Sequence, residues 1–88
     1  MTIMELTKYK SHKIVEAGEI TQVDRYAVTV RVASGAEEIL RLPSAMFVRY
    51  TPVVGDYLVR YDTGTAKEYL SFSPRDVFIA GYTALAEA

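Results

Sequence analysis

The C-terminal third of the chain constrains the fold most, because a strand pattern there runs directly into a helix-start signal. In Tyr57–Tyr61 the side chains alternate in character with the period of two that is typical of a β-strand. A turn is expected around Gly64, since glycine adopts positive φ without strain. Residues 69–72 then return as a second strand, with Leu70 and Phe72 on one face. The sequence therefore predicts an antiparallel hairpin.

A helix is predicted immediately after this hairpin. Ser73 is a typical N-cap residue, Pro74 suits the first helical position, and Asp76 complements the helix dipole in the first turn. Gly81 either weakens the helix from within or ends it at Ala80. The face expected to be apolar carries Val77, Phe78, Tyr82 and Leu85.

The rest of the chain is rich in strand patterns. Residues 13–20 form a predicted first strand, in which Gly18 is a candidate bulge. Residues 26–32 and 38–42 flank a short turn and predict a hairpin, and residues 44–50 predict a short helix after Pro43. We therefore expect an α+β fold: a small antiparallel β-sheet of about five strands, able to curl toward a half-barrel, with a short mid-chain helix and a C-terminal helix.

Composition limits the classes of protein that fit. The 88 residues suit one domain, with residues 1–7 and 85–88 expected to be flexible. The net charge of -1 argues against generic nucleic-acid binding, which normally requires a basic excess. Without cysteine there is no disulfide or thiolate metal site. No apolar run approaches the roughly 20 residues of a membrane span, so no membrane partner is expected.

Both ends of the chain carry short motifs, which are Lys8-Tyr9-Lys10, Val15-Glu16-Ala17, Gly55-Asp56-Tyr57, Ser71-Phe72-Ser73-Pro74 and Phe78-Ile79-Ala80-Gly81-Tyr82. In these motifs the chain resembles small, uncharacterised accessory proteins of tailed phages and prophages. The motifs span roughly two-thirds of the chain. Residues 63–68 form a longer connection than the tight Asp-Gly-Tyr turn of such proteins. The resemblance implies an α+β fold and a phage context, with the cytoplasm of the infected bacterial host as the expected location.

No catalytic or metal-binding constellation is predicted. His12 is the only histidine, and a metal or nucleophilic site normally requires further partners. The spacing of the carboxylates selects no pair for general acid–base catalysis. We therefore expect a protein that is not an enzyme and uses no cofactor.

Three features are candidates for ligand binding. The basic segment around Lys10 and Lys13 could hold phosphates, although lysines also protect an edge strand from aggregation. The predicted helix start at Ser73 and Arg75 could hold an anion, although Ser73 also has a purely structural role as a cap. Seven tyrosines favour contact with a partner or a flat ligand, although some are needed for the core. The candidate ligand-binding residues are Lys10, Lys13, Arg60, Tyr61, Tyr69, Ser73 and Arg75.

These features together predict a phage-encoded, non-enzymatic binding protein that acts stoichiometrically in host takeover or counter-defence. It would sequester a small anionic, nucleotide-like signal or mask a host protein. A homo-oligomer is expected, because a chain this short cannot enclose both a core and a ligand pocket. The alternative is a structural or assembly protein of the virion.

Overall fold

The computed structural model describes residues 5–10 and 14–84. It confirms the predicted fold class, an open antiparallel sheet with two short helices. The elements are β1 (Thr7–Lys10), β2 (Ile14–Asp24), β3 (Ala27–Arg31), β4 (Glu37–Arg41), α1 (Ser44–Arg49), β5 (Tyr57–Tyr61), β6 (Tyr69–Ser73), α2 (Arg75–Gly81) and β7 (Thr83–Ala84). The flexibility expected of residues 1–7 and 85–88 falls mostly outside the described residues. In the described part of this range, Leu6 is buried and Thr7 is the first residue of β1.

The long strand β2 organises the sheet. Its first half pairs with β1 on one side and β5 on the other, and its second half pairs with β3. The predicted strand over residues 13–20 was therefore too short, since β2 continues to Asp24. The candidate bulge was also misplaced, because the register shift falls between Ile20 and Gln22 rather than at Gly18.

Gly18 is required for close packing. A Cβ atom at this position would lie 2.3 Å from Cγ1 of Val30 and 2.7 Å from the carbonyl oxygen of Arg31. Such distances are far below van der Waals contact, so any side chain at residue 18 would push β3 away from β2. Glycine at this position thus allows the two strands to cross closely.

Two hydrophobic clusters lie on opposite faces of the β2–β5–β6 region. The larger one brings α1 against β2, β3 and β5, and its buried members are Leu6, Ile20, Val28, Val30, Val32, Leu42, Met46 and Leu58. The smaller one lies beneath α2 and contains Val15, Ala17, Val59 and Phe78. Leu40, Leu70 and Phe72 pack against the larger cluster but are only partly buried.

The predicted C-terminal hairpin is confirmed. β5 pairs with β6 in antiparallel register, from Tyr57 opposite Ser73 to Tyr61 opposite Tyr69. Gly64 has a φ of 82°, in the left-handed region expected of the turn glycine. The next helix, α2, turns Phe78 inward, as predicted, and Tyr82, the residue directly after α2, packs against Phe78. Val77 was assigned to the same face wrongly, because its side chain is 64% exposed.

Replacing Phe78 by alanine should lower the free energy of unfolding by about 3–5 kcal/mol, because the ring is buried and fills the small cluster under α2. Urea denaturation followed by circular dichroism measures this loss. Ile79→Ala is the matched control, since Ile79 lies next in the same helix and is half exposed. Equal losses in the two variants would show that the inner face of α2 is misassigned.

Gly18→Ala should destabilise the fold by about 1–3 kcal/mol, because the added methyl group overpacks the contact between β2 and β3. Gly81→Ala provides the comparison, as a Cβ at this helix end meets no atom within 4 Å. Thermal denaturation of the two variants should show a lower Tm only for Gly18→Ala. An unchanged Tm in that variant would contradict the close approach.

Candidate functional site

Four tyrosines gather on the α2 side of the β5–β6 hairpin. The register places Tyr61 opposite Tyr69, and their rings stack with centroids 4.7 Å apart. The ring of Phe78 from α2 stacks on Tyr57 at 4.3 Å and on Tyr82 at 4.8 Å. We call this group, Tyr57, Tyr61, Tyr69 and Tyr82, the tyrosine surface.

The tyrosine surface packs against the core on one side and is exposed to solvent on the other. Tyr57, Tyr61 and Tyr82 are partly buried against the smaller cluster, whereas Tyr69 is 52% exposed. Burial raises the pKa of the Tyr61 hydroxyl above its usual value, and the neighbouring Tyr82 and Tyr69 raise that pKa further. Tyr61 therefore remains a neutral group near pH 7 and is able to donate and accept hydrogen bonds. Stacked rings with neutral hydroxyls suit contact with a protein or a flat ligand.

Arg60 does not join this surface. It lies between Tyr61 and Val59 in β5, so its side chain projects to the opposite face of the sheet. Its guanidinium is buried and donates to Oε1 of Glu16 from Nε at 2.9 Å and from Nη2 at 2.6 Å. The positive charge of Arg60 is thus compensated within the fold, away from Tyr61 and Tyr69.

Ser73 does not cap α2, contrary to prediction. It is the last residue of β6 and pairs with Tyr57, while Pro74 takes the cap position without a side-chain cap bond. The N–H of Arg75 donates instead to Oδ1 of Asp56 at 3.1 Å. A carboxylate from a distant loop therefore occupies the place where an external anion was expected.

The side chain of Arg75 is also engaged. Its Nη1 lies 3.3 Å from Oε2 of Glu19 and 3.3 Å from the carbonyl oxygen of Gly55. Lys10 is the last residue of β1 and pairs with Ile14, and Lys13 lies outside the described residues. Among the predicted ligand-binding residues whose side chains the structure describes, Tyr61 and Tyr69 are the two whose rings stack on each other.

Asp56 connects three parts of the C-terminal half of the chain, a role that its sequence context did not predict. Its carboxylate is buried and accepts hydrogen bonds from the hydroxyl of Tyr50 at 2.7 Å, the N–H of Val53 at 3.1 Å and the N–H of Arg75. These bonds connect the end of α1, the following loop and the start of α2. The hydrogen bond to Asp56 raises the pKa of Tyr50, and burial and the negative charge raise that pKa further.

The grooves found among the described residues are small. Among residues 5–10 and 14–84, no three His, Cys, Asp or Glu side chains are grouped to hold a metal ion. One open groove of about 190 Å³ lies between β2 and the 31–35 turn, and another of about 110 Å³ lies between α1 and β6. Both are smaller than typical small-molecule pockets.

Comparison with protein-family models, with curated proteins and with solved structures gave no match.

In the described part of the chain, neither helix is long and apolar enough to cross a membrane.

Asp56→Asn should lower the free energy of unfolding by about 2 kcal/mol or more, because the amide cannot accept from three donors as the carboxylate does. The variant should also lower the pKa of Tyr50, which ultraviolet titration of the tyrosines detects. Asp62→Asn is the control, since Asp62 is exposed and lies in the 62–65 turn. Equal stability of the two variants would contradict the structural role of Asp56.

Proposed function

We propose that this chain is a non-enzymatic binding protein that acts stoichiometrically by covering a protein partner with its tyrosine surface. The observation that carries the proposal is the stacked pair of Tyr61 and Tyr69, in which Tyr61 packs against the cluster that contains Phe78 and Tyr69 is exposed. Tyrosine offers a large contact area with few rotatable bonds, so pre-stacked rings bind a partner at a low entropic cost.

A protein partner is favoured over a nucleotide-like signal by the charges around the site. Arg60 is paired with Glu16, Arg75 is paired with Glu19, and the start of α2 already faces the Asp56 carboxylate. A phosphate ligand would have to displace these carboxylates or face their repulsion. A protein surface that packs on the tyrosine rings would not meet this electrostatic repulsion.

The resemblance of both chain ends to small tailed-phage proteins supports a host protein as the partner. In this proposal the chain is made in the cytoplasm of an infected bacterium and masks a component of host defence. A virion neighbour is the alternative partner, because a structural or assembly protein would also act through protein contacts alone.

Tyr69→Ala should weaken partner binding by at least about tenfold, because an exposed aromatic at the centre of an interface is a typical hot spot. Partners are captured from infected and uninfected host lysates and then purified. Isothermal titration with the purified partner gives the Kd and the stoichiometry. Ile39→Ala is the matched control, since Ile39 is 73% exposed on β4, away from the tyrosine surface, and should leave the Kd unchanged.

Three results would contradict the masking of a host protein. Equal affinity of Tyr69→Ala and Ile39→Ala would remove the tyrosine surface from the interface. Recovery of the chain in purified phage particles would favour the structural alternative. A rise in Tm with a cyclic dinucleotide, abolished by replacing Lys10 and Arg75 with alanine, would instead favour sequestration of an anionic signal.

A further inference from the structure

β6 is an edge strand of the sheet. In the described part of the chain it pairs with β5 alone, and its other side has no neighbouring strand. It comprises Tyr69–Ser73 and ends against Pro74. An edge strand presents backbone groups that another strand can pair with.

The register identifies which backbone groups of β6 face outward. In antiparallel pairing, successive residues direct their N–H and C=O groups alternately to the two sides. The N–H of Ile20 donates to the carbonyl oxygen of Asp56 at 2.7 Å. The alternate residues that follow in β5, Leu58 and Arg60, therefore direct their backbone N–H and C=O groups to β2. The residues between them, such as Val59 opposite Ser71, bond to β6. Leu70 and Phe72 therefore direct their N–H and C=O groups to the open side.

The outward N–H groups are available for pairing, whereas the carbonyl oxygen of Phe72 already accepts a long hydrogen bond of 3.4 Å from the Ser71 hydroxyl. Among the described residues, the N–H groups of Leu70 and Phe72 have no other acceptor. The side chains of Leu70 and Phe72 are only partly buried, and the groove of about 110 Å³ between α1 and β6 lies alongside them. A strand added at this edge would satisfy the N–H groups and cover apolar surface at the same time.

Charged side chains distinguish the β6 edge from the β4 edge, which is the other long edge of the sheet. β4 also pairs with a single strand, β3, but three of its five residues, Glu37, Glu38 and Arg41, are charged. Charged side chains protect an edge against pairing with another molecule. β6 carries no charged residue, so nothing in its composition opposes a second strand.

We propose that two copies of the chain pair through β6, in antiparallel register about a two-fold axis at Ser71. Leu70 of each copy lies opposite Phe72 of the other, and the two residues exchange both backbone hydrogen bonds. The five-residue strand suits this arrangement, because each residue flanking Ser71 is apolar and partly buried. An isologous contact of this kind closes as a dimer and does not propagate into a fibre.

The pairing would also extend the tyrosine surface. Tyr69, Ser71 and Ser73 share the face of β6 that lies beside Tyr61, Val59 and Tyr57. In the dimer, Tyr69 of one copy lies beside Ser73 of the other on this same face. The two tyrosine surfaces therefore become one continuous binding face. The dimer itself requires no partner, so it is tested independently of the proposed function.

The two-fold axis at Ser71 provides a charge-reversal test. Ser71→Lys and Ser71→Glu each place like charges directly opposite one another, which should raise the dimer Kd by roughly two- to fivefold. An equimolar mixture of the two variants should restore dimers, because opposite charges then meet. Sedimentation equilibrium measures the mass, and Ile39→Lys, in the middle of β4, should leave the wild-type dimer unchanged.

Amide hydrogen exchange tests the pairing without any substitution. Exchange at Leu70 and Phe72 should slow as the concentration of wild-type protein rises, while exchange at Ile39 on β4 stays constant. A wild-type chain that is monomeric at all concentrations tested would overturn the proposal. So would a mixture of Ser71→Lys and Ser71→Glu that associates no better than either variant alone.

Discussion

The buried carboxylate of Asp56 is the interaction on which the arrangement of the C-terminal half depends. It accepts hydrogen bonds from the end of α1, the loop after it and the start of α2. Removing a carboxylate from water is costly unless its oxygens are well bonded, so these elements are held together where the donors converge. The position of α2 in turn places Phe78 against Tyr57 and Tyr82, and thereby supports the tyrosine surface.

Local patterns predicted the elements well, because periodicity and turn residues act over a few neighbours. The alternation in Tyr57–Tyr61 and the glycine at residue 64 were enough to predict the hairpin. The predicted cap of α2 was wrong, because the residue that bonds to the start of this helix is distant in sequence. Ser73 has the right chemistry, but Asp56, 19 residues away from Arg75, supplies the bond. No local pattern reveals a cap that arrives from another part of the chain, although a Gly-Asp pair before a strand marks a loop whose carboxylate can bond to backbone N–H groups.

The sequence also predicted only part of the candidate site, because some of its contacts are local and others come from distant parts of the chain. Tyr61 and Tyr69 lie in contact, since the hairpin register brings them together, and their role in binding stays a prediction. Arg60 was predicted to belong to the same site, yet neighbours on a strand face opposite sides of a sheet. Its partner Glu16 and the partner of Arg75, Glu19, both come from β2. A balanced net charge hides such pairs, because it does not indicate which charges are neutralised by distant partners.

Internal pairing of charge also determines which surfaces remain for other molecules. Arg60 lies on the opposite face of the sheet, paired with Glu16, and Arg75 is paired with Glu19, so the tyrosine surface presents rings and hydroxyl groups rather than unpaired arginines. The other long edge of the sheet, β4, retains its charged side chains in solvent and is protected by them. The proposed contacts with a second copy and with a partner therefore both lie where charge is absent, along β6 and the tyrosines beside it. Specificity there must come from shape and backbone hydrogen bonding, which explains why composition alone gives so little indication of a partner.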